Sequence, residues 1–328
     1  MCGLKESVTV SPAELTSLYI PLLTFIQTKR TSQPLTIPRL LVGCFGPAGS
    51  GKTTLAALLC EMVNAIPGFP KTAAISMDAY HQTNAWLEAN HLRPFKGRID
   101  TINGEALCYD LKLLLQPPSS LSTLCPPQEP LPPLGPPMES RQSWAESYKG
   151  NSLLLPIYDR AVTHDPKLGG CEIAPDVQVV LVEGLFLGRG EEGATYAPCW
   201  PKVRGTLHEV IGLNAPLPLC RARCITRRLR SILYATHQGG LPSDLGSLGE
   251  EVLEKLKAAV EHYKRADYPT FKEIQGDLKF ATVVVTLPLP KGMGGSGGDE
   301  SVLHVAAKDT VESLRGDPGM GGAVIEFL

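Results

Sequence analysis

Short apolar runs alternate with helix-like segments along most of this chain. Five runs of strand length are mainly apolar: 39–45, 71–77, 177–182, 210–213 and 281–286. The segment 54–63, rich in Ala and Leu, follows the first run and indicates a buried helix. Continuous apolar strands separated by helices are typical of a parallel sheet that is covered on both faces. The pattern therefore predicts an α/β fold, built on a doubly wound parallel sheet of about five strands.

Two segments interrupt this pattern. The stretch 117–137 contains nine prolines, a composition that excludes a helix or a central strand. We interpret 116–150 as an exposed, mostly disordered insertion, and a polyproline ligand for a partner domain is the alternative interpretation. A glycine-rich run at 292–298 predicts a flexible linker. The predicted organisation is a helical extension at 1–38, a main domain at 39–290 that contains the insertion, and a linker with a short tail at 291–328.

Composition narrows the classes of partner. The formal net charge is only -2, so no overall field attracts nucleic acid or anionic membranes. No apolar run approaches the ~18 residues that a membrane span needs, and the N-terminus lacks the pattern of a secretory signal. Nine scattered cysteines suit reduced thiols better than a disulfide framework. We expect a cytoplasmic protein with a small-molecule partner, while a homodimer and a partner for the insertion stay open.

The most specific motif is GPAGSGKT at 46–53, which matches the pattern GxxxxGK[ST] at every fixed position. It lies between a predicted strand and a predicted helix, the context in which such a loop binds the phosphates of a nucleotide. Lys52 would reach the β- and γ-phosphates of ATP, and the Thr53 hydroxyl would bind Mg²⁺. The predicted ATP-binding residues are Gly46, Pro47, Ala48, Gly49, Ser50, Gly51, Lys52, Thr53 and Thr54.

Two carboxylates follow predicted strands, at the sheet edge where open α/β sheets bind their ligands. Asp78 comes just after the second predicted strand and is placed to accept the proton of an attacking hydroxyl. The alternative is that Asp78 caps the helix predicted to begin near Asn84. Glu183 follows the third predicted strand and suits the magnesium side of a P-loop enzyme.

A cluster of polar and aromatic side chains is predicted to form a loop at 156–166, with the sequence PIYDRAVTHDP. Such a cluster indicates either a pocket for the phosphate acceptor or a solvated turn. Aromatic side chains can stack on a base or a sugar, and Arg or His can hold hydroxyls or a carboxylate. The predicted substrate-binding residues are Tyr80, His81, Arg93, Tyr158, Arg160 and His164.

The segment 218–235 predicts a helix with two different faces. Arg223, Arg227 and Arg230 are spaced so that they share one face, while apolar residues cluster on the other. The arginines form either a solvated basic face or a group that acts on a phosphate. Little aromatic interleaving accompanies them, so nucleic-acid binding is not expected.

Together these segments resemble the superfamily of P-loop small-molecule kinases that contains phosphoribulokinase, uridine kinase and pantothenate kinase. The resemblance covers about 39–274 without the insertion. It rests on the P-loop, SMDAY at 76–80, NAWL at 84–87, RPFKG at 93–97, PIYDR at 156–160, EGLFL at 183–187 and the arginine-bearing helix. The chain departs from the family at 99–103, where Asn103 replaces an acid, and at 262–269, which retains only Asp267 of a late motif.

The resemblance implies an ATP- and Mg²⁺-dependent kinase that phosphorylates a hydroxyl of a small metabolite, such as a sugar, a nucleoside or a pantothenate-like compound. It implies a P-loop fold with a helical lid, Asp78 as general base, and Arg223 and Arg227 as lid residues that act on the transferring phosphate. The predicted loop at 158–164 is longer than in many members, which favours a non-nucleoside acceptor. The alternative is a P-loop NTPase or a nucleotide-binding regulatory protein without kinase activity.

Overall fold

A six-stranded sheet forms the centre of the computed structural model. The structure describes residues 8–117, 148–149, 152–160, 163–190, 198–237, 250–287 and 324–327. Most of the predicted insertion at 116–150 and the glycine-rich run at 292–298 lie outside the described residues.

The strands of the main sheet follow the order β2-β6-β1-β7-β8-β9. The first five strands run parallel, and β9 pairs antiparallel with β8. The prediction of a five-stranded parallel α/β sheet is confirmed, and β9 adds an edge strand from near the end of the chain. The strands are β1 (Leu40–Phe45), β2 (Thr72–Ser76), β6 (Val179–Gly184), β7 (Glu209–Asn214), β8 (Val283–Thr286) and β9 (Val324–Phe327).

Helices lie between these strands in the chain. The first helical segment begins at Pro12–Glu14, passes through a π-helical turn at Leu15–Tyr19 and continues as α1 (Ile20–Ser32). A capping box, in which the Ser11 and Glu14 side chains each bond the other residue's backbone N–H, fixes its start. The other helices are α2 (Lys52–Ala65), α3 (Asn84–Ala89), α4 (Gly104–Leu114), α5 (Cys199–Thr206), α6 (Leu217–His237), α7 (Glu250–His262) and α8 (Tyr268–Asp277).

Two apolar clusters cover the two faces of the sheet, because successive strand residues point to opposite sides. Leu41 of β1 belongs to the cluster that contains residues of α4 and α5. Its neighbours Leu40 and Val42 belong to the other, which contains residues of α2 and of the N-terminal helical segment. Leu22 and Ile26 of that segment are fully buried. The N-terminal helix is therefore a layer of the main fold.

A second, three-stranded antiparallel sheet stands beside the main one. It consists of β3 (Tyr148–Lys149), β4 (Ser152–Asp159) and β5 (Asp165–Ile173). The prediction that 156–166 is a loop is therefore wrong: most of this segment belongs to the two strands of a hairpin. The side chains of Leu153 and Leu155 are buried, and an irregularity between Leu155 and Ile157 accommodates Pro156.

Two sequence-based expectations concern the environment of the chain. Within the described residues, no helix is both long and apolar enough to cross a membrane. The seven cysteines in this part of the chain form no disulfide with one another.

Candidate active site

The P-loop turns tightly between the end of β1 and the start of α2. Gly49 and Gly51 have φ angles of 80° and 94°, a left-handed conformation that favours glycine. A Cβ atom at Gly49 would lie 2.4 Å from the carbonyl oxygen of Cys220, so this turn also contacts the start of α6. The Ser50 hydroxyl is buried and has no hydrogen-bond partner among the described residues. The loop is therefore shaped for an anion and retains an unused donor.

Glu183 lies beside the P-loop because β6 is adjacent to both β1 and β2. Its carboxylate accepts a hydrogen bond from the Thr53 hydroxyl at 3.0 Å and a second one from the Ser76 hydroxyl. Glu183 is only 3% exposed, so these bonds compensate much of the cost of burying its charge. Thr53 and Glu183, the two residues predicted to hold the metal, are brought together.

Lys52 stands at the centre of the charges in the site. Burial lowers the pKa of its ammonium group, the Glu183 carboxylate opposes that shift, and the guanidiniums of Arg227 and Arg160 add to it. The lysine therefore lies within the electrostatic reach of the metal-side acid, of helix α6 and of the β4–β5 hairpin. A bound polyphosphate would favour its charged form.

Asp78 follows β2 in a short turn, Met77–Tyr80, and forms an ion pair with Arg160 at the end of the hairpin. The alternative that Asp78 caps the helix near Asn84 is wrong. The turn is capped by Ser76, whose hydroxyl accepts from the Asp78 N–H at 3.2 Å, and α3 is capped by Thr83. The carboxylate is thus held by a side chain from another part of the chain, just beyond the carboxyl end of β2 and at the same edge of the sheet as the P-loop.

Tyr158 is surrounded by cationic and aromatic groups. Lys96 Nζ and the Arg160 guanidinium carbon lie 5.1 and 5.2 Å from its ring centroid, and the His81 ring is 5.3 Å away. Burial lowers the pKa of His81 to about 3, with a further contribution from Lys96, so its imidazole is neutral at physiological pH. Burial, with the neighbouring Asp165, raises the pKa of Tyr158 to about 12, so the phenol keeps its proton.

Lys96 was not among the predicted site residues, although it lies in the family-like segment RPFKG. Its ammonium group donates to Asn84 Oδ1 at 2.8 Å and to the His164 carbonyl at 2.7 Å, and it lies 3.4 Å from Asp165 Oδ1. It therefore joins α3 to the hairpin beneath Tyr158. The lysine within that segment was the available sequence signal.

Two predicted substrate-binding residues have other roles. Tyr80 is 1% exposed, and its hydroxyl donates to Asp110 Oδ2 at 2.8 Å, because the short turn directs the ring into the core and away from the site. Assigning Tyr80 to the acceptor pocket was therefore wrong. His164 is exposed, and its carbonyl rather than its ring contacts the site, accepting from the Tyr158 hydroxyl at 2.7 Å.

Asn103, where the resemblance predicts an acid, caps a helix. Its side-chain oxygen accepts from the Ala106 N–H at 2.9 Å and caps α4. The departure from the family pattern thus lies at a helix start, and asparagine is a favoured cap.

The arginines of helix α6 lie in different surroundings. Arg223 is half-buried and Arg227 is exposed, and the charge of Arg227 acts on Lys52. Arg228, which has no predicted role, faces Asp267, with Nη2 3.9 Å from Oδ2. The side chain of Arg230 lies outside the described residues. The helix therefore contributes charge on two sides, one of them toward the P-loop.

The residues present fit Mg²⁺ and a nucleoside triphosphate. Thr53 and Glu183 offer the hard oxygen ligands that Mg²⁺ prefers, and Mg²⁺ usually takes its remaining ligands from water and phosphate. The buried, unpaired Ser50 hydroxyl and the left-handed glycines form a cradle for phosphate oxygens. Within the described part of the chain, no cluster of three or more His, Cys, Asp and Glu could form an all-protein metal site.

No protein-family model matches this chain. A relative from Escherichia coli K12, Uncharacterized protein YggC, is 24% identical over 285 residues, which are 87% of this chain and 92% of the relative. A provisionally named fructose transport system kinase from Silicibacter sp. TM1040 has a TM-score of 0.52 and 23% identity, covering 78% of this chain and 94% of its own. A D-glycerate 3-kinase from Cryptococcus neoformans var. grubii has a TM-score of 0.50 and 15% identity, covering 85% and 96%. The chain therefore shares the α/β fold of these two solved structures.

Proposed function

We propose that this protein is a kinase that transfers the γ-phosphate of ATP to a hydroxyl of a small metabolite. The observation that carries the proposal is the position of Asp78. Its carboxylate is fixed at the carboxyl edge of the sheet by Arg160, and the charge of Arg160 also acts on the P-loop lysine, Lys52. A proton-accepting group at the same edge of the sheet as a phosphate-binding lysine suits phosphoryl transfer to an alcohol.

Each group in the site has a distinct task in this reaction. Asp78 accepts the proton of the acceptor hydroxyl while the oxygen of that hydroxyl bonds to the γ-phosphorus. The bond from that phosphorus to the β–γ bridging oxygen breaks, and ADP leaves. Lys52 binds the phosphates. Arg227 of α6, whose charge acts on Lys52, adds positive charge on the phosphate side of the site. Arg160 orients Asp78. Tyr158 and the neutral His81 provide an uncharged wall for the acceptor.

Thr53 and Glu183 would hold Mg²⁺, which supplies charge neutralisation of the phosphates when it is bound. Ser76 fixes the second oxygen of Glu183, so the carboxylate keeps one orientation.

The test is a phosphoryl-transfer assay with γ-labelled ATP, Mg²⁺ and pools of sugars, nucleosides, hydroxy acids and pantothenate. We expect labelled product from at least one pool. Asp78→Asn keeps the shape of the side chain but cannot accept a proton, so kcat should fall ~10²–10⁴-fold while ATP affinity changes little. The control is Asp100→Asn, which removes an exposed carboxylate paired with Arg98 outside the site.

Release of inorganic phosphate at the same rate with and without every pool would instead identify an NTPase. ATP binding without any turnover would identify a nucleotide-binding regulatory protein. A normal kcat in Asp78→Asn would refute the role of Asp78 as general base.

A further inference from the structure

The end of the β4–β5 hairpin that carries Arg160 lies outside the apolar core. Leu153 of β4 and Ile173 of β5 are buried at the other end of the hairpin. Among the described residues from 157 to 165, none is buried. Apolar packing therefore fixes the base of the hairpin, whereas polar contacts hold the end from which Arg160 reaches Asp78.

Lys96 lies among oxygen atoms at this end of the hairpin. Its ammonium group donates to Asn84 Oδ1 at 2.8 Å and to the His164 carbonyl at 2.7 Å, and it lies 3.4 Å from Asp165 Oδ1. The side chain is only 9% exposed, so water competes little for these contacts. An ammonium group offers three donors on a compact charge, and one lysine can therefore hold oxygen atoms of α3 and of the hairpin together.

Asn84, the first residue of α3, makes the second half of this contact. Its backbone N–H donates to Asp165 Oδ1 at 2.8 Å, and its side-chain amide donates to the Thr163 carbonyl at 3.1 Å. Lys96 orients that amide, because the oxygen of the same side chain accepts from the ammonium group. We call the contact of Lys96 and Asn84 with residues 163–165 the hairpin clamp.

The clamp fixes a strained piece of backbone that leads back to Asp78. His164 has a φ angle of 50°, in the left-handed region where residues other than glycine are uncommon. Its carbonyl accepts from Lys96 Nζ and from the Tyr158 hydroxyl, each at 2.7 Å. The guanidinium carbon of Arg160 lies 5.2 Å from the centroid of the Tyr158 ring. A series of direct contacts thus joins Lys96 to the arginine that pairs with Asp78.

We propose that Lys96 is a positioning residue, which acts through the hairpin clamp to hold Arg160 where its guanidinium orients Asp78. The inference rests on the proposed kinase function and adds a residue that acts through the hairpin and not on the reacting atoms. When the clamp opens, Asp78 loses its fixed orientation. A misplacement of about 1 Å at a reacting group can slow a reaction ~100-fold.

The test begins with single variants in the transfer assay, with the acceptor that the pools identify. Lys96→Met keeps the length of the side chain and removes its charge and donors. We expect kcat to fall about 10- to 100-fold, the scale of a misplaced catalytic group, while affinity for a non-hydrolysable ATP analogue stays at the parent value. Asn84→Ala opens the clamp from the other side and should have the same effect. The control is Lys167→Met, which should keep the parent kcat, because Lys167 Nζ pairs within the hairpin, 2.6 Å from Asp159 Oδ2.

A double variant separates positioning from a general loss of structure. If Lys96 acts through Arg160, Lys96→Met combined with Arg160→Gln should lose no more kcat than Arg160→Gln alone. Independent effects would instead multiply. Melting temperatures show that each variant is folded.

Amide hydrogen exchange without any substrate provides a readout that does not depend on turnover. The Asn84 N–H is bonded to Asp165, so it reports whether the hairpin stays on α3. Lys96→Met should speed its exchange about 10-fold or more, the effect of losing hydrogen bonds to a charged group. Exchange in the central strands of the main sheet should not change.

Three results would overturn the inference: a parent-like kcat in Lys96→Met, losses that multiply in the double variant, or an equal loss in Lys167→Met. Faster exchange with parent-like transfer would show that the clamp positions nothing, and the kinase would stand. Parent-like exchange in Lys96→Met would refute the clamp whether or not the parent protein transfers phosphate. Faster exchange in that variant, with no transfer by the parent protein, would support the clamp and refute the kinase.

Discussion

The contact between Gly49 and helix α6 gives a prediction with a built-in control. Gly49→Ala would place a Cβ atom 2.4 Å from the Cys220 carbonyl oxygen, with φ at +80°. Gly68→Ala would impose the same backbone strain, because φ is +83° there, but its Cβ would meet nothing within 4 Å. The two substitutions therefore share a conformational cost and differ in one steric clash.

The left-handed conformation costs an alanine ~1–2 kcal/mol, and this is the whole loss expected for Gly68→Ala. Relieving the clash at Gly49 requires the backbone of the P-loop or of α6 to move, which adds ~1–3 kcal/mol by comparison with overpacked cores. We therefore expect Gly49→Ala to lower the free energy of unfolding by ~2–5 kcal/mol. Urea unfolding measures both losses.

Binding of the ATP analogue provides the second readout. Movement of the P-loop should weaken that binding in Gly49→Ala, whereas Gly68→Ala should bind as the parent protein does. Equal destabilisation of the two variants, with parent-like binding in both, would refute the contact between the P-loop and α6.

Three further predictions follow from single contacts in the site and its surroundings. Glu183→Gln should raise the Mg²⁺ concentration needed for half-maximal activity at least ~10-fold, the usual scale for metal-site partners, and an unchanged Mg²⁺ titration would contradict its role. Tyr80→Phe should lower the free energy of unfolding by ~1–3 kcal/mol through loss of its buried bond to Asp110 and leave the acceptor KM unchanged; a raised KM at parent stability would return Tyr80 to the acceptor pocket. The native pKa of His81 is about 3, against ~6.5 in the unfolded chain, so the unfolded state alone takes up this proton as pH falls through that window. The free energy of unfolding should therefore decrease by up to ~1.4 kcal/mol per pH unit below ~6.5. His81→Gln should reduce this slope, and an equal slope in that variant would contradict the prediction.

The parts of the fold that the sequence predicted have strong local signals. The P-loop motif requires a strand before it and a helix after it, so β1 and the start of α2 at Lys52 followed from eight residues. The four other parallel strands were recognisable as apolar runs. The β4–β5 hairpin was missed because Tyr158 and Asp159, at the end of β4, are polar or aromatic residues that a loop carries equally well.

Side-chain directions were harder to predict than positions along the chain. Tyr80 and His81 are adjacent, yet the turn sends one into the core and the other against Tyr158. Helical spacing selected Arg227, but the packing of α6 against the π-helical turn Tyr263–Asp267 decides that Arg228 faces Asp267. That turn comes about 40 residues later in the chain, so no local pattern contains the information.

The order of strands in the main sheet has a consequence for synthesis of the chain on the ribosome. β1 ends at Phe45, but its neighbours β6 and β7 end at Gly184 and Asn214. The central strand must therefore wait for about 140 further residues before it can pair, and at ~5–20 residues per second this takes roughly 7–30 s. During that time a wholly apolar strand has no partner in the nascent chain.

The same topology makes late contacts unavoidable on both faces of the sheet. Leu22 and Ile26 of the first helix belong to the same apolar cluster as Val283 and Val285 of β8, so the earliest helix cannot be fully buried until nearly the whole main domain has been made. Folding that depends on such distant pairings is slow and leaves apolar segments open to aggregation. Newly made chains should therefore depend on chaperones that shield exposed apolar segments until translation passes β8.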